Sequence, residues 1–243
     1  MRLFSQGDIL WCRHLPDLAR PERKTLAVVL AVHTTEKIGS ETIYTCAPLC
    51  DKSHRQPGDY PVQLPSGYHG TIRLGDFFVA GESLFDRSGF SLAPVHKLNP
   101  EELASLRMKI DALLEPNPNL LGIVVRTSSP SHNGHPGKPN RPHVLVCEIG
   151  TISGRWWAVP VGSRPSQEGL GSEIKDLDFC GLVRLRGQKS YTRLAWSTSI
   201  PERSRLVTKP VSRLSDRDER KLFDQCKSFA QMLVSGKVTS LLE

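Results

Sequence analysis

Long apolar runs are missing from this sequence: the longest, at 26–32, falls far short of the roughly 20 residues that a membrane-crossing helix needs. The opening eight residues, with Arg2, Ser5, Gln6, Gly7 and Asp8 close together, supply no apolar stretch of the secretory kind. A cytoplasmic location without a membrane partner is expected. Cysteine is scarce. The six, Cys12, Cys46, Cys50, Cys147, Cys180 and Cys226, include no Cys-x-x-Cys pair, which argues against a disulfide scaffold or a zinc finger and for buried free thiols. His54 and His69 stand at no ligand spacing to Cys46 and Cys50, so neither metal nor cofactor is expected. What remains is a globular balance of 38% apolar and 23% charged residues over 243 positions, enough for one large domain or two small ones.

The chain is interrupted near its middle by Glu115-Pro116-Asn117-Pro118-Asn119, a cluster that reads as a linker. Before it, Leu103, Leu106, Ile110 and Leu113 recur at helical spacing behind a capping Asn99 and a first-turn Pro100. The second half ends alike: Ser215 caps, Asp216 and Asp218 occupy the first turn, and Leu222, Cys226, Phe229 and Leu233 form the apolar stripe. The halves also match by offset. Segment 94–99 recurs 116 positions later at 210–215, and 27–30 recurs at the same offset at 143–146. Segment 46–49 recurs after 112 positions at 158–161, and 71–74 after 120 positions at 191–194. Four pairings in one order predict two tandem domains, 1–115 and 120–243, joined by 116–119. Within the first, the runs 9–12, 26–32, 42–47 and 71–79 are rich in β-branched and aromatic residues. Short strands of this kind predict a mainly β fold with α, in which a small antiparallel barrel closes and a C-terminal helix packs on it.

Charge is unequally shared. Residues 1–115 carry 13 basic and 14 acidic side chains, a net −1, whereas 116–243 carry 19 and 11, a net +8. Such a surplus attracts polyanions through counterion release, so nucleic acid is the expected partner class. Arg184, Arg186, Lys189 and Arg193 lie near Tyr191 and Trp196, which suit base stacking, and Arg203, Arg205 and Lys209 extend the run. Arg213, Arg217, Arg220 and Lys221 alternate with acids on a helix and read as its wet face.

Gly7-Asp8-Ile9-Leu10-Trp11, an apolar strand introduced by a basic residue, a Pro-containing strand end and a helix capped after leucine together resemble the MazF/PemK (Kid) toxin family. The second half carries the sharper match. Gly137-Lys138-Pro139-Asn140-Arg141-Pro142-His143-Val144-Leu145-Val146 is similar to the family's Gly-x-x-Arg-Pro-x-Leu-Val strand entry, and Trp157-Ala158-Val159-Pro160-Val161-Gly162-Ser163 to its Pro-Ile-Thr-Ser-like strand end. In the first half Arg-Pro gives way to Lys24-Thr25 beside Arg23, and the hydroxyl position falls on Cys50 or Asp51. In the second the opening Gly-Asp is reduced to Gly122-Ile123.

The resemblance implies two tandem SH3-like barrels, each with its C-terminal helix, packed as an intramolecular pseudo-dimer and monomeric in solution. It implies a metal-independent endoribonuclease acting on single-stranded RNA, a growth inhibitor held in check by an antitoxin protein. Two rivals remain: a catalytically decayed pair that binds nucleic acid or protein, and a gyrase poison of the related CcdB branch. Cleavage through the RNA's own 2′-hydroxyl needs a proton acceptor, a proton donor and a cation at the phosphorane. Arg141 suits the cation, because a guanidinium stays charged and grips phosphate in a bidentate fork. Ser163 is positioned to hydrogen-bond the same phosphate, and His135 or His132, in a glycine-rich loop, to move protons near neutral pH. Lys138, Trp156, Arg186, Lys189 and Arg193 are the expected RNA contacts. Trp156-Trp157 places one indole on each face of a strand, one for the core and one for stacking.

Overall fold

Two antiparallel sheets of seven strands each, and two helices, make up the computed structural model, which describes residues 4–12, 25–38, 41–51, 59–85, 93–127, 141–149, 155–165, 171, 173–174, 190–201 and 212–235. The first sheet contains β1 (Asp8–Cys12), β2 (Thr25–Ile38), β3 (Glu41–Asp51), β4 (Tyr60–Gln63), β5 (His69–Ile72), β6 (Phe78–Gly81) and β7 (His96–Lys97), and α1 (Pro100–Leu113) follows it. The second contains β8 (Ile123–Thr127), β9 (Arg141–Glu148), β10 (Arg155–Gly162), β11 (Glu173–Ile174), β12 (Ser190–Thr192), β13 (Thr198–Pro201) and β14 (Ser212–Arg213), and α2 (Asp216–Ser235) follows.

Strand order is the same in both. The first runs β4-β5-β3-β2-β1-β7 with β6 also on β3, and the second β11-β12-β10-β9-β8-β14 with β13 also on β10. One long strand therefore serves two partners along one edge. Ile43 to Cys46 of β3 pair with β6 and Leu49 to Asp51 with β5, which curls the sheet into a half-barrel. Register carries the sequence offsets directly. Val28 sits opposite Ala47 as Val144 sits opposite Val159, and Leu49 opposite Ile72 as Val161 opposite Thr192. These pairs are the 116, 112 and 120 offsets of the sequence. The run 71–79, expected as one strand, is instead two strands separated by a 3-10 turn, Leu74–Asp76, and Leu194–Trp196 repeats that turn after β12.

Each sheet begins at a glycine that only a glycine suits. Gly7 and Gly122 both have φ of 87°, the left-handed region. Gly7 donates to the Val29 carbonyl and accepts from Leu98 N–H, while Gly122 does the same with Leu145 and Leu214, so the helix entry is tied to the first strand in both halves. Asn99 caps α1 as its pattern predicts: its Oδ1 accepts from Glu101 and Glu102 N–H while the Glu102 carboxylate accepts from Asn99 N–H. Ser215 Oγ accepts from Asp218 N–H at the start of α2. The proline-rich segment between the halves is itself ordered, because Asn117 N–H donates to the Val146 carbonyl and its side chain accepts from Asn119 N–H.

The apolar core is continuous across both sheets and both helices. Phe229 of α2, fully buried, stacks on His33 of β2 with centroids 6.1 Å apart and lies 5.8 Å from Trp157 of β10, touching both sheets at once. Gln6 is shared three ways: its Nε2 donates to the Leu30 and Leu233 carbonyls, and its Oε1 accepts from Arg107 Nε and Nη2 at 3.0 and 2.8 Å. Elsewhere the Phe77 carbonyl accepts from Ser199 N–H at 3.1 Å, and Asp76 meets Arg155 at 2.5 Å. None of the described helices is long and apolar enough to cross a membrane.

Candidate nucleic-acid interface

Pro142 fixes its own φ and biases its predecessor toward extended backbone, and Arg141 accordingly opens β9, opposite Thr127 of β8. The β9–β10 ladder runs to His143 opposite Pro160. Two residues beyond that last pair lie Arg141 on β9 and Gly162, the last residue of β10, with Ser163 exposed just after it. On the other side Gly162 pairs with Tyr191 of β12. Arg141, Gly162 and Tyr191 thus stand at the same end of three neighbouring strands.

Face as well as end is shared. Side chains alternate along a strand, so Arg141 and His143 point the same way as Leu145, away from the core face that carries Val144 and Val146. Pro160 and Gly162 share that side, and Arg193 joins them: a Cβ placed on Gly162 would meet the Arg193 Cδ at 3.5 Å. The Arg193 guanidinium lies over the Trp196 ring at 4.8 Å, a cation–π contact. Trp196 in turn packs on Ile43, Val79 and Ala195, a cluster in which the Leu194–Trp196 turn meets strands of the first sheet.

His143 is the residue that sequence reasoning missed. It is 1% exposed, and its Nδ1 lies 3.1 Å from the Arg141 carbonyl. A carbonyl only accepts, so that contact puts hydrogen on Nδ1 and, in the neutral ring, the basic lone pair on Nε2. The bond also pins the backbone that presents Arg141. Counting by two along β9 from Arg141 was the available signal.

Of the expected site residues, Arg141, Ser163 and Arg193 all stand at this end of the second sheet. Trp156 does not. It is half-buried at the opposite end of β10, against Val125, Leu145, Ala158 and Ile200, six residues and roughly 20 Å of strand from Gly162. Trp157 is the core member of that pair. His132, His135, Lys138, Arg186 and Lys189 lie outside the described residues.

The equivalent place in the first sheet holds different chemistry. By register Thr25 stands for Arg141, Cys50 for Gly162 and Thr71 for Tyr191. Arg73, the counterpart of Arg193, meets the carboxylate of Asp76 at 3.4 Å where Arg193 has an indole, and Asp76 is held again by Arg155 from the other sheet at 2.5 Å. Burial pushes the Cys50 thiol up; the Arg73 cation opposes the shift while Asp76 and Asp59 add to it. Among the described residues no three His, Cys, Asp or Glu side chains gather as metal ligands. Neither a scan against protein-family models nor a search of curated proteins finds a match to this chain.

Proposed function

We propose that the second half binds single-stranded RNA across the strand ends of β9, β10 and β12 and cleaves it through its own 2′-hydroxyl, as the resemblance to the MazF/PemK toxins implies. The observation that carries this reading is the convergence of Arg141, Gly162, Tyr191 and Arg193 on one end and one face of the second sheet, in the half that holds the +8 charge.

On this reading residues 1–115 and 120–243 are two copies of one SH3-like barrel-plus-helix unit joined by 116–119, and they pack as an intramolecular pseudo-dimer. Equal strand order and matching register support that, as does the way equivalent positions meet across the middle. Asp76 of the first half meets Arg155 of the second, while their counterparts Trp196 and Ile43 belong to one apolar cluster. A two-fold arrangement of like parts pairs position i with j and j with i.

Arg141 supplies the cation. As the 2′-oxygen attacks phosphorus and the bond to the 5′-oxygen breaks, negative charge grows on the non-bridging oxygens, where a fixed guanidinium is worth most. Ser163 donates to the same phosphate. Arg193 on Trp196, with Tyr191, offers a cationic and aromatic surface for the neighbouring nucleotide. Proton transfer falls to His135 of the loop, and His143 acts on the backbone of Arg141. An antitoxin protein is the regulatory partner that a toxin of this kind requires.

The test is cleavage of single-stranded RNA with and without EDTA by the wild type and by Arg141→Ala. The substitution should slow cleavage by about a hundredfold or more and leave the fold intact, and Arg141→Lys should restore only part, since a point charge lacks the bidentate fork. RNA binding should weaken steeply with salt. If the wild type binds RNA but cleaves none across a broad panel, the binding-module reading replaces this one. It has its own support in the Arg73–Asp76 pair, which sets a carboxylate against the first half's arginine.

A further inference from the structure

Glycine inside or at the end of a strand weakens it, and it is retained where the backbone requires it or where something approaches the chain closely. Gly7, Gly67 and Gly122 have positive φ, and Gly70 is crowded, since a Cβ there would lie 2.6 Å from Tyr68 Cε1 and 3.2 Å from the Cys50 carbonyl oxygen. Gly162 meets neither condition. Its φ is not in the left-handed region, and an added Cβ would touch only Arg193 Cδ among the described residues, at an ordinary 3.5 Å. The fold therefore tolerates a side chain at this position. The first sheet has one there: Cys50, its register counterpart, is opposite Thr71 as Gly162 is opposite Tyr191.

We infer that Gly162 is a specificity-determining residue, the low point beside the Arg193 stem against which an RNA sugar-phosphate unit rests, with Arg141 at the same end of the sheet. The inference rests on the reading that this end of the second sheet binds RNA. With no side chain at 162, a phosphate can come down to the β10 backbone and be reached by guanidinium groups from both flanking strands. A Cβ or a thiol in that place lifts the phosphate by about an atom's width, which breaks the short charge-assisted contacts to one arginine or the other. It also distinguishes the two sheets, because the first carries a Cys50 side chain at the corresponding register position.

The experiment compares wild type, Gly162→Ala and Gly162→Cys, the last reproducing the first half's residue. The probe is a short single-stranded oligoribonucleotide carrying 2′-O-methyl groups, which cannot be cleaved through its sugars, and affinity is read by fluorescence anisotropy alongside thermal unfolding. Expected is a loss of affinity of about tenfold for Gly162→Cys, a smaller loss for Gly162→Ala, and unfolding temperatures unchanged or slightly raised, since glycine in a strand is entropically costly. Tight binding by wild type and both variants alike overturns the role of Gly162 while leaving RNA binding standing. Absence of salt-sensitive binding by the wild type overturns the RNA reading and this inference together.

Discussion

Removing the Phe229 ring should uncouple the two sheets more than any other single truncation of α2. The side chain is fully buried, stacked on His33 of one sheet and tilted against Trp157 of the other. Phe→Ala in a core costs about 3–5 kcal/mol, transfer and cavity together, and each ring pair contributes about 0.5–1.5 kcal/mol beyond burial. For a chain of this size that corresponds to a fall in Tm on the order of 10 °C. Urea unfolding followed by tryptophan fluorescence, to which Trp157 contributes with Trp11, Trp156 and Trp196, and by circular dichroism measures it. The His33→Ala single variant and the double variant complete a cycle whose coupling energy should be about 1 kcal/mol. In Phe229→Ala the two probes should also separate, because sheets that share a smaller core unfold less cooperatively. A cost below about 1 kcal/mol, or a coupling of zero with coincident probes, would refute the claim that this ring holds the sheets together.

Thiol chemistry gives a second check. Cys12, Cys46, Cys147 and Cys226 are buried, with the Cys147 thiol pushed up to about 12 and Cys46 and Cys226 well up, in each case chiefly by burial, whereas Cys50 is half-exposed and raised less. Because a raised pKa keeps the thiol protonated, labelling of native protein mapped by mass spectrometry should reach Cys50 well before those four, with a rate still climbing above pH 9. Fast labelling of Cys147 at pH 7 would contradict the burial. A third concerns Gly122, whose φ of 87° and whose Cβ position 2.7 Å from Glu219 Oε2 both oppose a side chain. Gly122→Ala should cost more than Gly67→Ala, at φ of 81° with open space around it, because it adds displacement of Glu219 from Arg213 to a backbone penalty of about 1–2 kcal/mol; equal unfolding temperatures would show that Glu219 yields freely.

The helices and the repeat were legible because their signals are local. Asn99, Pro100 and Ser215 announce helix starts through their own hydrogen-bonding capacity, and the offsets survive because register fixes which residue faces which. The split of 71–79 was not, since Arg73-Leu74-Gly75-Asp76 keeps apolar character while its backbone turns. His143 escaped notice for a related reason. In sequence it is one more residue of an apolar strand, and only the face it shares with Arg141 marks it out. Trp156 lies apart from Arg141 and Arg193, and alternation tells which face a residue takes but not which end of the sheet it occupies. Proline and asparagine at 116–119 mark the segment between α1 and β8, and the bond from Asn117 to Val146 makes it a docked turn.

Asp76 and Arg155 meet at 2.5 Å, while the equivalent positions are an indole and an isoleucine. In an assembly of two identical chains every substitution appears at both symmetry-related places, so a carboxylate introduced at one would be introduced at the other, where it must also be accommodated. A single polypeptide carrying both sheets escapes that constraint. Asp76 can be exchanged without disturbing Trp196, and Ile43 without disturbing Arg155. One half can therefore keep Arg193 beside an indole while the other sets Arg73 beside a carboxylate that also reaches Arg155 across the sheets, a division of labour that no symmetric pair of the same chain can hold.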